Sequence, residues 1–347
     1  MQKLIGNESA RERLLRLVIS RRVPNALLFA GPEGVGKKQF ALELARSFVC
    51  TNPNDDGTPC AECSACKRVG EFSIPTFEKG EDSDHVFFSQ HPDVGLVLPF
   101  RRNLRVGAIR ALEAESHFLP YEAAVRIFIV DDADKMNDAA SNALLKTLEE
   151  PPPTSHIILI ASRADSLLAT IRSRCQSIHF SPVDSIEIEK FLIGTETFSP
   201  EDAAVAARVC GGSIGRALGI VPSSFRTQRS AMLGILKAVI AGDKRVILAA
   251  SEEMTDARNK SEYEEKLEIL EGLVHDVWVC RNSPGNLEIR NVDIREDLER
   301  LAEQTSSRAL ADWLSEFETL RENFVVNINR KIATDAMLIK MAAASNA

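Results

Sequence analysis

In the first half of the chain, short apolar runs alternate with stretches in which apolar residues recur at helical spacing. Three of the runs predict buried strands: NALLFA (25–30), AVRIFIVDD (124–132) and HIILIAS (156–162). A strand that is apolar along most of its length is typical of a parallel sheet with helices on both faces. The pattern therefore predicts an α/β fold with a parallel sheet in this half.

A helix is predicted between the second and third of these strands. Apolar residues recur every four positions from Met136 to Leu148 and form one stripe on a helix. The prolines at 151–153 must end it, because proline lacks an amide hydrogen and its ring clashes with the preceding turn. This segment is a strand–helix–strand unit.

The pattern becomes helical after residue 180. Residues 181–222 predict short helices interrupted by CGGSIGRAL, and helical spacing continues from 223 to 347. We therefore predict three domains: an α/β base (1–180), a small helical lid (181–222) and an all-α C-terminal domain (223–347). Residues 70–90 have an acidic centre and mixed spacing, which predicts a surface insertion.

Composition and charge limit the classes of partner. The 347 residues carry a net charge of -8, so no basic field attracts the whole chain to a phosphate backbone. The run RRNLRVGAIR (101–110) has two interpretations: it is either a local basic patch or the solvated start of a helix. No apolar stretch approaches the ~18 residues of a membrane span, and no signal-peptide core opens the sequence. We expect a cytoplasmic protein without membrane partners.

The loop GPEGVGKK (31–38) follows the first predicted strand and opens a predicted helix, which is the context of a Walker A phosphate-binding loop. Its tight turn depends on three glycines: Gly31, Gly34 and Gly36. The loop amides face the phosphates in such turns, and Lys37 can reach the terminal ones. Lys38 stands where a serine or threonine hydroxyl normally binds magnesium, and an ammonium group cannot coordinate a cation.

Acidic residues follow the second predicted strand. Asp131 fits the carboxylate that organises magnesium, and Asp132 stands where ATPases of the AAA+ class have a glutamate that orients water. Aspartate is one methylene shorter, so hydrolysis is impaired twice. A helix-capping role is the alternative, above all for Asp134. Ser162, at the end of the third strand, completes the candidate nucleotide-binding set.

Four of the seven cysteines cluster at one place in the chain. Nine residues separate Cys50 from Cys60, and two separate each following pair up to Cys63 and Cys66. Four thiolates at such spacing can close a tetrahedron around Zn²⁺ and leave no open position for catalysis. Free thiols are the alternative, since a disulfide framework is not expected in a cytoplasmic chain. The cluster predicts a structural zinc site.

The segment TIRSRC (170–175) carries Arg172 and Arg174 in a turn. Spacing alone favours a local ion pair with a carboxylate. The alternative is an arginine finger, which stabilises charge on a nucleotide held by a neighbouring subunit.

In combination these motifs resemble the delta prime subunits of the bacterial DNA polymerase III clamp loader, which belong to the AAA+ class. The matching text covers most of residues 1–180: PNALLFAGPEGVGKK, the four cysteines, HPDV, the segment from IRALEAESHFLPYEAA to HIILIAS, and LLATIRSRCQ. The resemblance implies a P-loop AAA+ base, a lid and a helical collar. It also implies a five-membered hetero-oligomeric ring with motor (gamma/tau) and delta subunits, which loads the sliding clamp on primed DNA.

The resemblance further implies a stator-like subunit with little ATPase activity, a non-polymerising part of a DNA-directed DNA polymerase (nucleotidyltransferase) holoenzyme. Arg174 would be its finger for ATP on the adjacent motor subunit. The intact loop glycines and Lys37 leave ATP and Mg²⁺ binding open. The sensor pattern Gly-Ser-x-Arg appears here as GSIGR, with Gly215 in place of the arginine. The alternatives are a gamma/tau-type motor with its own ATPase and a zinc-containing nucleic-acid-binding module, which the charge disfavours.

Overall fold

The structure is a computed structural model, and it describes residues 4–20, 22–74, 84–100, 103–255, 262–283, 289–324 and 329–345. Arg101 and Arg102 of the basic run, and the centre of the predicted insertion (75–83), lie outside the described residues. The chain divides into two compact units: Met1–Gly194 with Cys210–Leu218, and Thr195–Val209 with Gly219–Ala347. The division into three domains stays a prediction.

The first unit contains a six-stranded sheet. Its strands are β1 (Ala26–Ala30), β2 (Phe87–Phe88), β3 (Val94–Val97), β4 (Arg126–Val130), β5 (Ser155–Ala161) and β6 (Gln176–His179). Their order across the sheet is β2-β3-β4-β5-β1-β6. All neighbours pair in parallel except β2 and β3, which are antiparallel. The predicted α/β fold with a mainly parallel sheet is confirmed.

The described α-helices follow in chain order. They are α1 (Glu8–Ser20), α2 (Lys37–Val49), α3 (Ser64–Arg68), α4 (Val106–Ser116), α5 (Asp138–Glu149), α6 (Ala169–Arg172), α7 (Ser185–Gly194), α8 (Pro200–Val209), α9 (Ile214–Gly219), α10 (Pro222–Ala241), α11 (Lys244–Met254), α12 (Tyr263–Asn282), α13 (Arg295–Glu303), α14 (Ser307–Phe324) and α15 (Arg330–Ser345). Short 3₁₀ turns lie at Ala133–Lys135, Ala164–Ser166 and Val292–Ile294. None of the helices in the described part of the chain is long and apolar enough to cross a membrane.

Helices cover both faces of the sheet. On one face Phe40 of α2 packs in the same buried cluster as Phe29 of β1. On the other face Leu112 of α4 and Leu144 of α5 pack with Phe128 of β4. This burial on both sides explains why β1 is apolar throughout and β4 is apolar from Ile127 to Val130.

The helix predicted between the second and third apolar runs is α5. The side chain of Asn137 caps its start by accepting a hydrogen bond from the amide of Ala140 at 2.9 Å. The helix ends at Glu149, just before the three prolines, as the sequence predicts.

The prediction of a surface insertion at 70–90 was wrong for its last residues. Phe87 and Phe88 form β2 on the edge of the sheet, Phe87 is 8% exposed, and Ser89 is buried. A two-residue strand is too short to show the alternation of apolar and polar positions that marks a strand.

The second unit is helical, and its core lies among α10, α12, α14 and α15. Leu236, Leu273 and Trp313 are buried there, and the indole nitrogen of Trp313 donates to the carbonyl of Met341 at 2.9 Å. A buried polar group holds the turn before α13: Asp276 accepts hydrogen bonds from the backbone amides of Arg290 and Asn291. The satisfied polar groups allow this turn to be buried at low cost.

Candidate nucleotide-binding site and metal centre

The loop GPEGVGKK connects β1 to α2 at the carboxyl edge of the sheet. Gly31, Gly34 and Gly36 have φ values of 154°, 75° and 96°, which favour glycine. At Gly34 a β-carbon would lie 2.0 Å from the hydroxyl oxygen of Ser213. The backbone conformation therefore favours glycine at this position, and a side chain here would also force the Ser213 hydroxyl to move.

Lys37, the first residue of α2, is only 5% exposed. Its ammonium group donates to the carbonyls of Gly31 and Pro32, both at 2.6 Å, and lies 3.4 Å from the hydroxyl of Ser162. Burial lowers the pKa of Lys37 below its ordinary value of 10.5, against the opposing effect of carboxylates of which Asp134 is the strongest. The structure thus brings together Lys37 and Ser162, two residues of the predicted nucleotide site.

Lys38 makes an ion pair with the carboxylate that the sequence assigns to magnesium. Its Nζ lies 3.2 Å from Oδ2 of Asp131. An ammonium group has no lone pair for a metal, and it neutralises a carboxylate that Mg²⁺ would need. The residues present at this loop do not fit a magnesium ion.

Asp132, at the position of the water-orienting acid, is also paired. Its backbone is left-handed (φ 49°, ψ 46°), and its Oδ2 accepts a hydrogen bond from Nζ of Lys135 at 2.7 Å. A non-glycine residue in this conformation is uncommon and is fixed by its surroundings. The carboxylate of Asp132 is therefore paired with a side chain of the same turn.

The helix-capping interpretation of Asp134 was wrong. Its Oδ1 accepts a hydrogen bond from the amide of Ser162 at 3.0 Å, and Asn137 caps α5 instead. The contact joins the end of β4 to the end of β5. The sequence did not predict this hydrogen bond, because the bond depends on β4 and β5 being neighbours in the sheet. Strand order cannot be deduced from a local sequence pattern.

A cavity of about 580 Å³ adjoins the loop. One side is polar and includes Lys37, Lys38 and Asp131. The lining also has an apolar part, made of Leu4, Ile5, Phe40, Ile160, Phe191, Ile214 and Leu218. Pockets of roughly 300–1,000 Å³ with this division of polarity are typical of small-ligand sites. The apolar side could not be predicted, since its residues come from distant parts of the chain.

Gly215, which stands at the predicted sensor position, lies directly against the loop. Its amide donates to the carbonyl of Gly34 at 2.9 Å, and a β-carbon on Gly215 would lie 3.3 Å from Cα of Gly34. A side chain here would press on the loop backbone. The next residue, Arg216, is exposed. The structure therefore shows a backbone contact where a motor subunit is expected to have an arginine.

The four clustered cysteines lie together: Cys50, Cys60 and Cys63 are in the segment between α2 and α3, and Cys66 is in α3. All four sulfur atoms are within 4.8 Å of one another, with Cys50–Cys60 at 3.6 Å and Cys60–Cys66 at 4.0 Å. Zinc held at about 2.3 Å by four thiolates sets sulfur–sulfur distances of about 3.8 Å. The donor set and its spacing fit a tetrahedral zinc ion.

Backbone amides point at these sulfur atoms. The amides of Cys60, Cys63 and Cys66 donate to the sulfurs of Cys50, Cys60 and Cys63 respectively, at 3.3–3.4 Å. Burial acts to raise the pKa of the Cys63 thiol, but hydrogen bonds from Cys66 and Thr51 outweigh it and lower that pKa to about 5. Burial raises the pKa of the Cys66 thiol. The amides favour thiolate at part of the site even before a cation is considered.

Arg174 lies just after α6 and makes local contacts. One guanidinium nitrogen donates to the carboxylate of Glu149 at 2.7 Å, and the other donates to the carbonyl of Thr170 at 3.0 Å. The side chains of Arg174 and Glu149 are 35% and 50% exposed. Arg172 pairs separately with Asp165. In this chain the arginines make the local ion pairs that spacing favours.

The sheet, with its glycine loop after β1 and its acidic turn after β4, defines a P-loop fold of the AAA+ class. Residues 6–184 match the family described as "DNA polymerase III, delta subunit", and residues 225–342 match its C-terminal part. The first match alone spans just over half of the chain. The chain belongs to this DNA polymerase III delta subunit family.

Two relatives found by sequence agree with this assignment. The DNA polymerase III subunit delta′ of Bacillus subtilis is 36% identical over 188 residues, which cover 54% of this chain and 51%, about half, of the relative. Subunit delta′ of Escherichia coli is 26% identical over 333 residues, which cover 95% of this chain and 92% of the relative. A solved DNA polymerase III gamma-subunit-related protein from Thermotoga maritima aligns with 96% of this chain and 99% of its own, at 18% identity and a TM-score of 0.46.

Proposed function

We propose that this chain is a stator-like subunit of the DNA polymerase III clamp loader. It acts in a hetero-oligomer with motor (gamma/tau) and delta subunits that loads the sliding clamp on primed DNA. The observation that carries the stator role is the ion pair between Lys38 and Asp131, because it occupies the carboxylate needed for magnesium-dependent hydrolysis. The relatives named delta′ support the assembly.

Arg174 serves this assembly as an arginine finger for ATP bound to the adjacent motor subunit. To do so it must leave Glu149 and the carbonyl of Thr170. Exposed ion pairs are worth only about 0–1 kcal/mol, so the release costs little. Removing a finger reduces the rate of phosphoryl transfer by roughly 10³–10⁵ at its site. A guanidinium group held weakly near the surface suits that task.

The four cysteines hold one structural zinc ion. Their sulfur spacing supports this assignment, and a closed set of four thiolates leaves no position for substrate. The C-terminal helices (223–347) form the collar through which the ring assembles, residues 181–222 form the lid, and residues 1–180 form the base domain. We place the protein in the cytoplasm.

The test is a clamp loader reconstituted with Arg174→Ala, Arg174→Lys or unchanged chains. Arg174→Ala will leave zinc content and ring assembly intact, but it will lower clamp-dependent ATP turnover and clamp loading on primed DNA. Arg174→Lys will rescue little, because a point charge lacks the planar donors of guanidinium. Arg172→Ala, which removes a neighbouring ion pair with Asp165, is the matched control and will load normally. Equal loading by the Arg174→Ala ring would refute the finger.

The second candidate is a gamma/tau-type motor subunit. A specific observation favours it: subunit tau of Bacillus subtilis is 31% identical over 185 residues, 53% of this chain and 29% of the relative. The two candidates separate on ATP hydrolysis by the purified chain. Turnover without other subunits would establish the motor, whereas the paired Asp131 and Asp132 lead us to expect none.

A further inference from the structure

A second cavity lies at the opposite edge of the sheet from the phosphate-binding loop, within the first unit. Val23 lies before β1, Val125 lies before β4, and His156 is near the start of β5. Because these strands are parallel, their amino ends share one edge, whereas the phosphate-binding loop follows the carboxyl end of β1. The volume of this amino-edge cavity is about 790 Å³, within the range of roughly 300–1,000 Å³ for ligand sites.

The wall of the amino-edge cavity is largely apolar. The apolar lining residues are Val18, Ile19, Val23, Phe48, Pro53, Ala124 and Val125. The ring of Phe48 stacks on the imidazole of His156, with the ring centroids 4.8 Å apart. Ile19 is 61% exposed, and Ala124 is exposed as well. The apolar surface therefore reaches the rim of the cavity, which suits a chain that continues beyond it.

Two of the polar side chains around this cavity have already used their donors within the chain. The hydroxyl of Ser47 donates to the carbonyl of Glu43 at 3.1 Å. The side-chain nitrogen of Asn54 donates to the hydroxyl oxygen of Thr58 at 2.9 Å and to the carbonyl of Pro59 at 3.4 Å. What Ser47 and Asn54 still offer to a ligand is their oxygen atoms, which accept hydrogen bonds.

The imidazole of His156 also presents an acceptor. Its Nδ1 lies 3.0 Å from the carbonyl oxygen of Pro24, so Nδ1 carries the hydrogen and donates it. Burial lowers the pKa of His156, which keeps the ring neutral and leaves a lone pair on Nε2. Asp55 and Asp56 add two carboxylates to the lining. The polar side chains of the cavity thus ask for a ligand that is rich in donors.

The electrostatic potential of the amino-edge cavity is negative. Its lining includes residues from the last turns of α1 and α2, where helix carbonyls carry a partial negative charge of about half an elementary charge. The carboxylates of Asp55 and Asp56 add full charges. Within the described part of the chain, no lysine or arginine lines the cavity. A cationic group is therefore the complementary ligand.

We propose that the amino-edge cavity binds a segment of a partner protein in which an arginine lies between branched apolar residues. Guanidinium has five donors, no acceptor and a permanent charge, so it matches the acceptors of the cavity. Its flat face stacks on aromatic rings such as that of Phe48. The apolar neighbours of the arginine cover the apolar wall, and the net charge of -8 attracts a basic segment at long range.

Affinity selection of capped hexapeptides by the full, zinc-loaded chain tests the proposal. The library samples all residues at each position, and mass spectrometry identifies the bound peptides. The selected pool will be enriched in peptides with one arginine flanked by valine, leucine or isoleucine. The most enriched peptide is then made again with citrulline, which keeps the shape of arginine but is neutral. Calorimetry will show binding weakened about tenfold, the value of one charged hydrogen bond.

Variants of the chain locate the peptide. Asp55→Asn removes one charge of the cavity at constant size and will weaken binding about tenfold. Glu62→Gln, at an exposed acid outside the lining, is the matched control and will bind the peptide as the unchanged chain does. Ala124→Trp fills the rim from an exposed position and will abolish binding. Zinc content and thermal unfolding check that each variant is folded.

Three results would overturn the proposal: a selected pool without enriched arginine, undiminished binding of the citrulline peptide, or undiminished binding by either folded cavity variant. The first two need no variant of the chain. The proposal does not rest on assembly into a clamp loader. The clamp-loading test on Arg174 is separate, so failure of either idea leaves the other standing.

Discussion

Two lysines each place an ammonium group on a carboxylate that an ATPase keeps for catalysis. The sequence showed that Lys38 cannot bind magnesium, because this follows from the chemistry of its side chain. It did not show that Lys38 pairs with Asp131, since the two residues follow strands separated in the sheet by β5. Residue identity was thus predictable, and pairing was not, because pairing depends on strand order.

At position 34, both the left-handed backbone and the nearby hydroxyl of Ser213 disfavour a side chain. In Gly34→Ala the methyl group meets the hydroxyl of Ser213, and the backbone stays at a φ of 75°. We expect the free energy of unfolding of the first unit to fall by about 1–3 kcal/mol. Gly194→Ala, at the end of α7 where no atom lies within 4 Å of the new methyl group, is the control and will lose no stability. Urea unfolding of both variants makes the comparison, and equal midpoints would contradict the crowding described for Gly34.

At the scale of elements, α3 shows how a very short helix is held. Its five residues are too few for a stable helix in isolation. Cys63 caps its start by accepting the amide of Cys66, and Arg46 of α2 donates to the carbonyls of Cys66 and Val69 at 3.2 and 3.0 Å. The cysteine loop is therefore attached to the helix that follows the phosphate-binding loop. Cysteine spacing predicted the cluster, but nothing in the sequence marked Arg46 as its support.

The zinc prediction belongs to this element. Cys63→Ser retains a good N-cap, because serine caps helices well, but it removes one of four thiolates. Metal analysis of chains purified without chelators will find about one zinc in the unchanged chain and clearly less in Cys63→Ser. Cys175→Ser, outside the cluster, will keep its zinc. A full zinc complement in Cys63→Ser, or none in the unchanged chain, would show that the cluster is not the zinc site.

Strands illustrate the limits of sequence analysis at this scale. The long apolar runs identified β1, β4 and β5 because burial on both faces leaves a continuous pattern. β3 has four residues, one of them glycine, and β2 has two. Such short strands gain their stability from neighbours in the sheet, so their own residues carry too little pattern to be recognised.

At the scale of the whole molecule, the net charge and the surface ion pairs disfavour DNA binding by the isolated chain. The net charge of -8 opposes approach to a polyanion at long range. The described acidic and basic side chains also pair extensively on the surface, as Lys237 does with Asp297 and Arg321 with Glu271. Under the proposed function, any contact with DNA is thus expected to come through the assembled clamp loader.

We therefore expect the isolated chain to bind primed DNA more weakly than about 10⁻⁴–10⁻⁶ M, the usual range of non-specific DNA binders at physiological salt. Fluorescence anisotropy of labelled primed DNA measures this directly. The reconstituted clamp loader with the sliding clamp is the positive control. Tight binding by the chain alone, with a steep salt dependence, would favour the nucleic-acid-binding alternative.

The hydrogen bond from the Gly215 amide to the Gly34 carbonyl joins α9 to the phosphate-binding loop, so their stabilities are coupled. Ile214 and Leu218 of α9 also line the cavity, so an occupant of that cavity is bound more tightly when α9 is in place. If a protein that displaces α9 lowers the affinity of the cavity for its occupant, the occupant lowers the affinity for that protein by the same factor. Any shift of this six-residue helix would therefore change the cavity and the phosphate-binding loop together.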